Sequence, residues 1–119
     1  MIETNEEVNE FFRRYASALL ARDTKAIARM HAVPSLILFP GKSITVGDVK
    51  QTNAFFASSW GQYEGVDAVD NEIVVMAEAP GSIWADVSWS YGGRPRERFC
   101  YQPVKTTEGY RIAVHTPMA

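Results

Sequence analysis

The chain holds a single cysteine, Cys100, among 119 residues. An intramolecular disulfide is therefore excluded, and the chain suits a reducing compartment. Excess positive charge is missing too. Twelve Lys and Arg against 14 Asp and Glu leave a formal net charge of −2, so no broad basic field exists to hold nucleic acid or an anionic membrane. No apolar run approaches the length that spans a bilayer. The opening MIETNEEVNE is acidic and polar, without the apolar stretch of a signal peptide. The two histidines and the cysteine lie far apart, with no H-x-x-x-H or C-x-x-C spacing, so no metal site is expected. GGRP is a hairpin turn rather than a glycine-rich phosphate loop, and no cofactor is implied. Together these absences predict a cytoplasmic protein that forms one domain over residues 1–119.

What is present is patterning. Apolar residues make up 46% of the chain and charged ones 22%, the ordinary balance of a soluble domain with one core. Val8, Phe11, Phe12, Tyr15 and Leu19 recur at spacings of three and four and predict a helix over about 5–21, capped by Thr4 or Asn5. Asp23 caps a second helix, 24–31, with Ile27 and Met30 inward and Pro34 ending the segment. On this reading His31 closes the helix, where a cation is favoured. SLILF at 35–39 and SITV at 43–46 form short strands about the Pro40-Gly41 turn. A third helix follows over 48–59, capped by Asp48, with Val49, Asn53, Phe56 and Trp60 on one stripe.

Beyond residue 65 the period becomes two. Four strands are expected, near 66–79, 82–91, 95–105 and 109–116, separated by Pro80-Gly81, Gly92-Gly93 and Glu108-Gly109 turns. The second alternates strictly. Ile83, Ala85, Val87, Trp89 and Tyr91 make one face, and Trp84, Asp86, Ser88 and Ser90 the other. Such alternation belongs to an antiparallel sheet with one covered face. Helices first and strands after give the α+β class.

RYASALLARD, then a short helix, a hairpin, a third helix and four strands ending in EGYRIAVHTP, resembles the NTF2-like superfamily, and within it SnoaL-like and ketosteroid-isomerase-like proteins. The resemblance covers nearly the whole chain. It implies a cone-shaped barrel, with three N-terminal helices packed on the concave face of a curved, mainly antiparallel sheet. It also implies a pocket between them and a homodimer through the outer sheet face. RYASAL matches the segment that carries the catalytic tyrosine of ketosteroid isomerases, which gives Tyr15 that position. The partner acid of that tyrosine corresponds to Tyr101 or Gln102, depending on which turn anchors the alignment. Tyr101 is preferred because Phe99 and Tyr101 make the apolar face of their strand, against Arg96 and Arg98. The general base of those isomerases precedes a proline. Here the position reads Phe39-Pro40, so the base is absent. A positioned base contributes about 10²–10⁴-fold, so steroid isomerisation by that route is not expected.

Tyr15 and Tyr101 are thus the candidate catalytic residues, each equally readable as a core aromatic with a satisfied hydroxyl. Phe39, Phe56, Trp60, Trp89 and Val114 are expected to line a pocket for a small hydrophobic molecule. His115 alternates away from Ile112 and Val114 and so faces outward. A slip of one residue would bring it inside as a candidate base. Asp86 and Arg98, the nearest imitation of an epoxide hydrolase's charged set, also face outward. Trp84 beside Asp86 marks a covered outer surface, supporting the dimer. Three readings stand open: an isomerase, cyclase or lyase acting through tyrosine hydroxyls; a non-catalytic ligand binder; and a dimeric interaction module. An inward carboxylate or an inward His115 would favour the enzyme.

Overall fold

The computed structural model describes residues 2–57, 68–92 and 94–118, and their side chains except at 2–5, 95 and 96. The elements run α1 (Ile2–Ala21), α2 (Thr24–Arg29), β1 (His31–Phe39), β2 (Lys42–Val46), α3 (Val49–Ala57), β3 (Val69–Ala79), β4 (Ser82–Tyr91), β5 (Arg94–Thr106) and β6 (Gly109–Pro117). The expected α+β order is present. The strands form one curved sheet in the order β2-β1-β6-β5-β4-β3. It is open, with β2 and β3 at its edges, rather than a closed barrel. Only β1 and β6 run parallel among the paired strands; the other neighbours are antiparallel.

Local chemistry sets the helix ends. α1 begins at Ile2, upstream of the expected Thr4 or Asn5 cap. It closes through Arg22, at φ 53°, with the Asp23 amide donating to the Ala18 carbonyl at 2.9 Å. This is the left-handed termination that frees a chain to turn sharply. The Asp23 carboxylate then accepts from the Ala26 amide at 3.1 Å, capping α2 as expected. α3 is capped from both directions. Asp48 accepts from the Gln51 amide at 2.8 Å, while Gln51 Oε1 accepts from the Gly47 and Asp48 amides. The buried stripe of α3 is Thr52 and Phe56, with Asn53 half-buried; Val49 is exposed. Trp60 lies outside the described residues.

α2 stops at Arg29, and β1 starts at once with His31, four residues before the strand expected from the sequence. The Ile112 amide donates to the Met30 carbonyl at 2.8 Å, so β6 satisfies a carbonyl that would otherwise carry the helix on. Pro34 lies inside β1 rather than ending a helix. It falls where the β1–β6 register shifts, between His31↔Ile112 and Leu36↔Val114, and outside the β2 pairing, which covers 35–39. Such a break in the pairing is one of the places where a strand tolerates a residue without an N–H.

One core joins helices and sheet. Val8, Phe11, Phe12, Tyr15 and Leu19 of α1 pack with Ile83, Ala85, Val87 and Trp89 of β4, Tyr101 of β5 and Ile112 of β6. Phe12 meets Tyr101 at 5.1 Å between ring centroids, tilted at 52°. On the other sheet face, Arg98 makes a two-bonded ion pair with Asp86 (2.9 and 2.5 Å), which holds the Asp86 carboxyl below its usual range. Among the described residues no helix is long and apolar enough to cross a membrane.

Candidate functional site

A cavity of about 270 Å³ opens between α1, α3 and the sheet. Tyr15 and Leu19 of α1, Phe39 of β1, and Phe55 and Phe56 of α3 form one side of its wall. Trp89 and Tyr91 of β4, Glu97, Phe99 and Tyr101 of β5, and His115 of β6 complete it. Of the residues singled out from the sequence, Tyr15, Tyr101, Phe39, Phe56 and Trp89 therefore meet around one space. Val114 does not line it: Val114 pairs with Gln102 and Leu36 on the other face.

His115 is inside, contrary to the outward position expected from alternation. The cause is a bulge. Gln102 pairs with Val114 but Pro103 pairs with Ile112, leaving Ala113 as an extra residue in β6. An extra residue reverses the facing of everything after it, so Ile112 and His115, three apart, are both buried. His115 stacks at 4.8 Å from the Tyr101 ring and meets the Phe99 ring edge-on at 4.6 Å. Neither of its ring nitrogens has a hydrogen-bond partner among the described residues. Burial first, and then the neighbouring His31, lower its pKa from 6.5 to about 3.

His31 is the second revision. It is not a cation at a helix end but a buried, neutral ring, 6.1 Å from His115 and 5.9 Å from Tyr15 between centroids. Its Nδ1 lies 3.0 Å from the Ile27 carbonyl, and its Nε2 has no partner among the described residues. Burial lowers its pKa to about 4, against a smaller opposing effect of the Ile27 carbonyl. Ser35 Oγ on β1 and Thr52 Oγ1 on α3 are likewise buried without a partner among the described residues. Leaving a buried polar atom unpaired costs about 1–3 kcal/mol. Several such atoms in one small protein ask for a reason.

Other polar groups at the cavity are paired with one another. The Trp89 indole N–H donates to the Tyr101 hydroxyl at 2.9 Å; a hydroxyl that accepts in this way directs its own proton elsewhere. Tyr15 and Tyr101 rings stand 6.1 Å apart. The Tyr91 hydroxyl donates to Glu97 Oε2 at 2.8 Å, so a carboxylate faces the cavity. Glu97 follows the spacing of Phe99 and Tyr101 along β5 and was legible from it. Among the described residues no group of three or more His, Cys, Asp or Glu is placed to hold a metal ion.

No family model and no curated protein sequence matches the chain. Solved structures do. An NTF-2 like protein of unknown function from Shewanella oneidensis MR-1 superposes with a TM-score of 0.77 at 11% identity, over 96% of this chain and 98% of that one. The fold is NTF2-like. The Kfla4162 protein from Kribbella flavida aligns over 100% of this chain and 93% of its own, at 23% identity and TM-score 0.69. Aln2 from a Streptomyces species aligns over 98% of this chain and 91% of its own, at 15% identity and TM-score 0.71. At these identities the likeness is one of fold, and a fold names no reaction.

Proposed function

We propose that the cavity of this NTF2-like domain binds a small, mostly apolar molecule bearing a carbonyl or hydroxyl, and moves a proton on it as an isomerase, cyclase or lyase. The observation that carries this reading is that Glu97 and His115 line the same cavity as Tyr15 and Tyr101. The base missing before Pro40 then has a substitute. The Glu97 carboxylate takes a proton from the carbon next to the carbonyl. The C–H electron pair forms a C=C bond, and the charge moves onto oxygen, where the tyrosine hydroxyls donate to it. Returning the proton to another carbon gives isomerisation; loss of a leaving group gives elimination. One oxyanion donor is worth about 2.7–4 kcal/mol. His115, neutral at physiological pH, accepts from or donates to a substrate hydroxyl.

The second reading is a binder without chemistry. It is favoured by the pKa of His115, about 3, since an imidazole that weak removes few protons near neutrality. Incubation of 2-tetralone with the protein in deuterated water separates the two. The enzyme reading expects faster deuterium incorporation beside the carbonyl, lost by about 10²–10⁴-fold in Glu97→Gln while binding persists, and reduced in Tyr15→Phe. Binding without exchange supports the binder. Absence of binding defeats both.

The same reading takes the helices as covering the concave side of the sheet, the chain as one cytoplasmic domain, and the outer face as a homodimer surface. Supporting the last, Val74 pairs with Asp86 on that face beside half-buried Trp84, and Val74 and Met76 are about half exposed, at 54% and 48%.

A further inference from the structure

A second concavity, of about 280 Å³, lies between α1, the end of α2 and β6, separate from the cavity. Its floor is apolar: Phe11, Ala18, Ala26 and Met30. Its rim carries three cations from three elements, Arg14, Arg29 and Arg111, and among the described residues no acidic side chain lines it. Three acids of the flanking segments are engaged with other partners. Glu10 pairs with Arg13, Glu7 with Lys105 at 2.8 Å, and Asp23 caps α2. Glu108 approaches Arg111 Nη2 at 3.4 Å with a side chain 81% exposed, a geometry that compensates the charge weakly. Arg111 Nη1 donates to the Tyr110 carbonyl at 2.8 Å, which holds the guanidinium at the groove. Arg14 and Arg29 form no ion pair among the described residues.

This concentration of positive charge occurs on a chain whose net charge is −2, so it is local and not a bulk excess. Three cations around a short apolar floor are too few and too confined for a nucleic-acid backbone. They match one oxyanion attached to an apolar body, because guanidinium forks pair with carboxylates while the floor takes the hydrocarbon. We propose that this groove binds a small free amphiphilic carboxylate, its chain on Phe11 and Met30 and its head group on the three arginines.

The test uses the full chain and octanoate, followed by NMR at the arginine Nε–H groups and the Met30 methyl. Octanoate should shift both sets of signals. Octanol and inorganic phosphate, each holding half of the proposed chemistry, should bind roughly tenfold or more weakly, the equivalent of losing one charge-assisted contact. An Arg14→Gln, Arg29→Gln double variant should lose octanoate affinity by a similar factor and keep its binding of 2-tetralone in the cavity, which reports an intact fold. Equal binding of octanol or phosphate, shifts confined to cavity residues, or attachment to phosphatidylserine vesicles without octanoate binding would each overturn the proposal.

Discussion

Tyr101 and His115 show how neighbouring aromatic side chains divide structural and chemical roles. Tyr101 is 2% exposed and is the acceptor for the Trp89 indole. Tyr101→Phe should orphan that buried N–H and cost about 1–3 kcal/mol in chemical denaturation; a variant as stable as the parent would contradict the assignment. His115 and His31 have folded-state pKa values of about 3 and about 4, below the unfolded value of 6.5. Between those limits the unfolded chain binds more protons, so stability rises with pH. Acidification from 6.5 toward 4 should destabilise the protein by up to about 1.4 kcal/mol per pH unit for each histidine. The Asp86–Arg98 pair pulls in the same direction, so the comparison with His115→Phe isolates the imidazole: the pH slope should fall by one histidine's share. An unchanged slope would mean that His115 titrates normally.

Among the elements, β4 and β6 differ most in how far their sequence reveals them. β4 alternates without interruption, and its buried face, Ile83 to Tyr91, is readable residue by residue. β6 carries the Ala113 bulge, which leaves no mark in composition but turns His115 inward and Val114 outward. Two-residue periodicity cannot locate an inserted residue, because the parity changes on only one side of it. His31 was hidden for a related reason. Pro34 punctuates the sequence as a helix stop, yet β1 absorbs it where the register with β6 already breaks. The helix caps, by contrast, are local chemistry and were legible at Asp23 and Asp48. Asp48→Ala should therefore cost about 1 kcal/mol, a typical capping value, measured by thermal or denaturant unfolding. No loss would show that α3, which carries Phe55 and Phe56 to the cavity, is held by packing alone.

At the scale of the whole molecule, the open sheet and the helices of the described residues enclose apolar walls with a few polar atoms set among them. The fold class and the meeting of Tyr15 with Tyr101 follow from periodicity and order; the occupant does not, because many chemistries use one fold. The outer face makes its own prediction. Trp84→Glu should turn a dimer into a monomer in sedimentation at micromolar concentration, and a parent protein that is monomeric there would remove the dimer. The central claim is that the cavity recognises an apolar body with a polar handle. Calorimetric titration with 2-tetralone and with tetralin, the same ring system without the carbonyl, tests it most directly. Tetralone should bind tighter by up to roughly tenfold, the range of one net neutral hydrogen bond, and Tyr15→Phe should erase the preference. Equal affinity for the two compounds, or a preference that survives Tyr15→Phe unchanged, would contradict it.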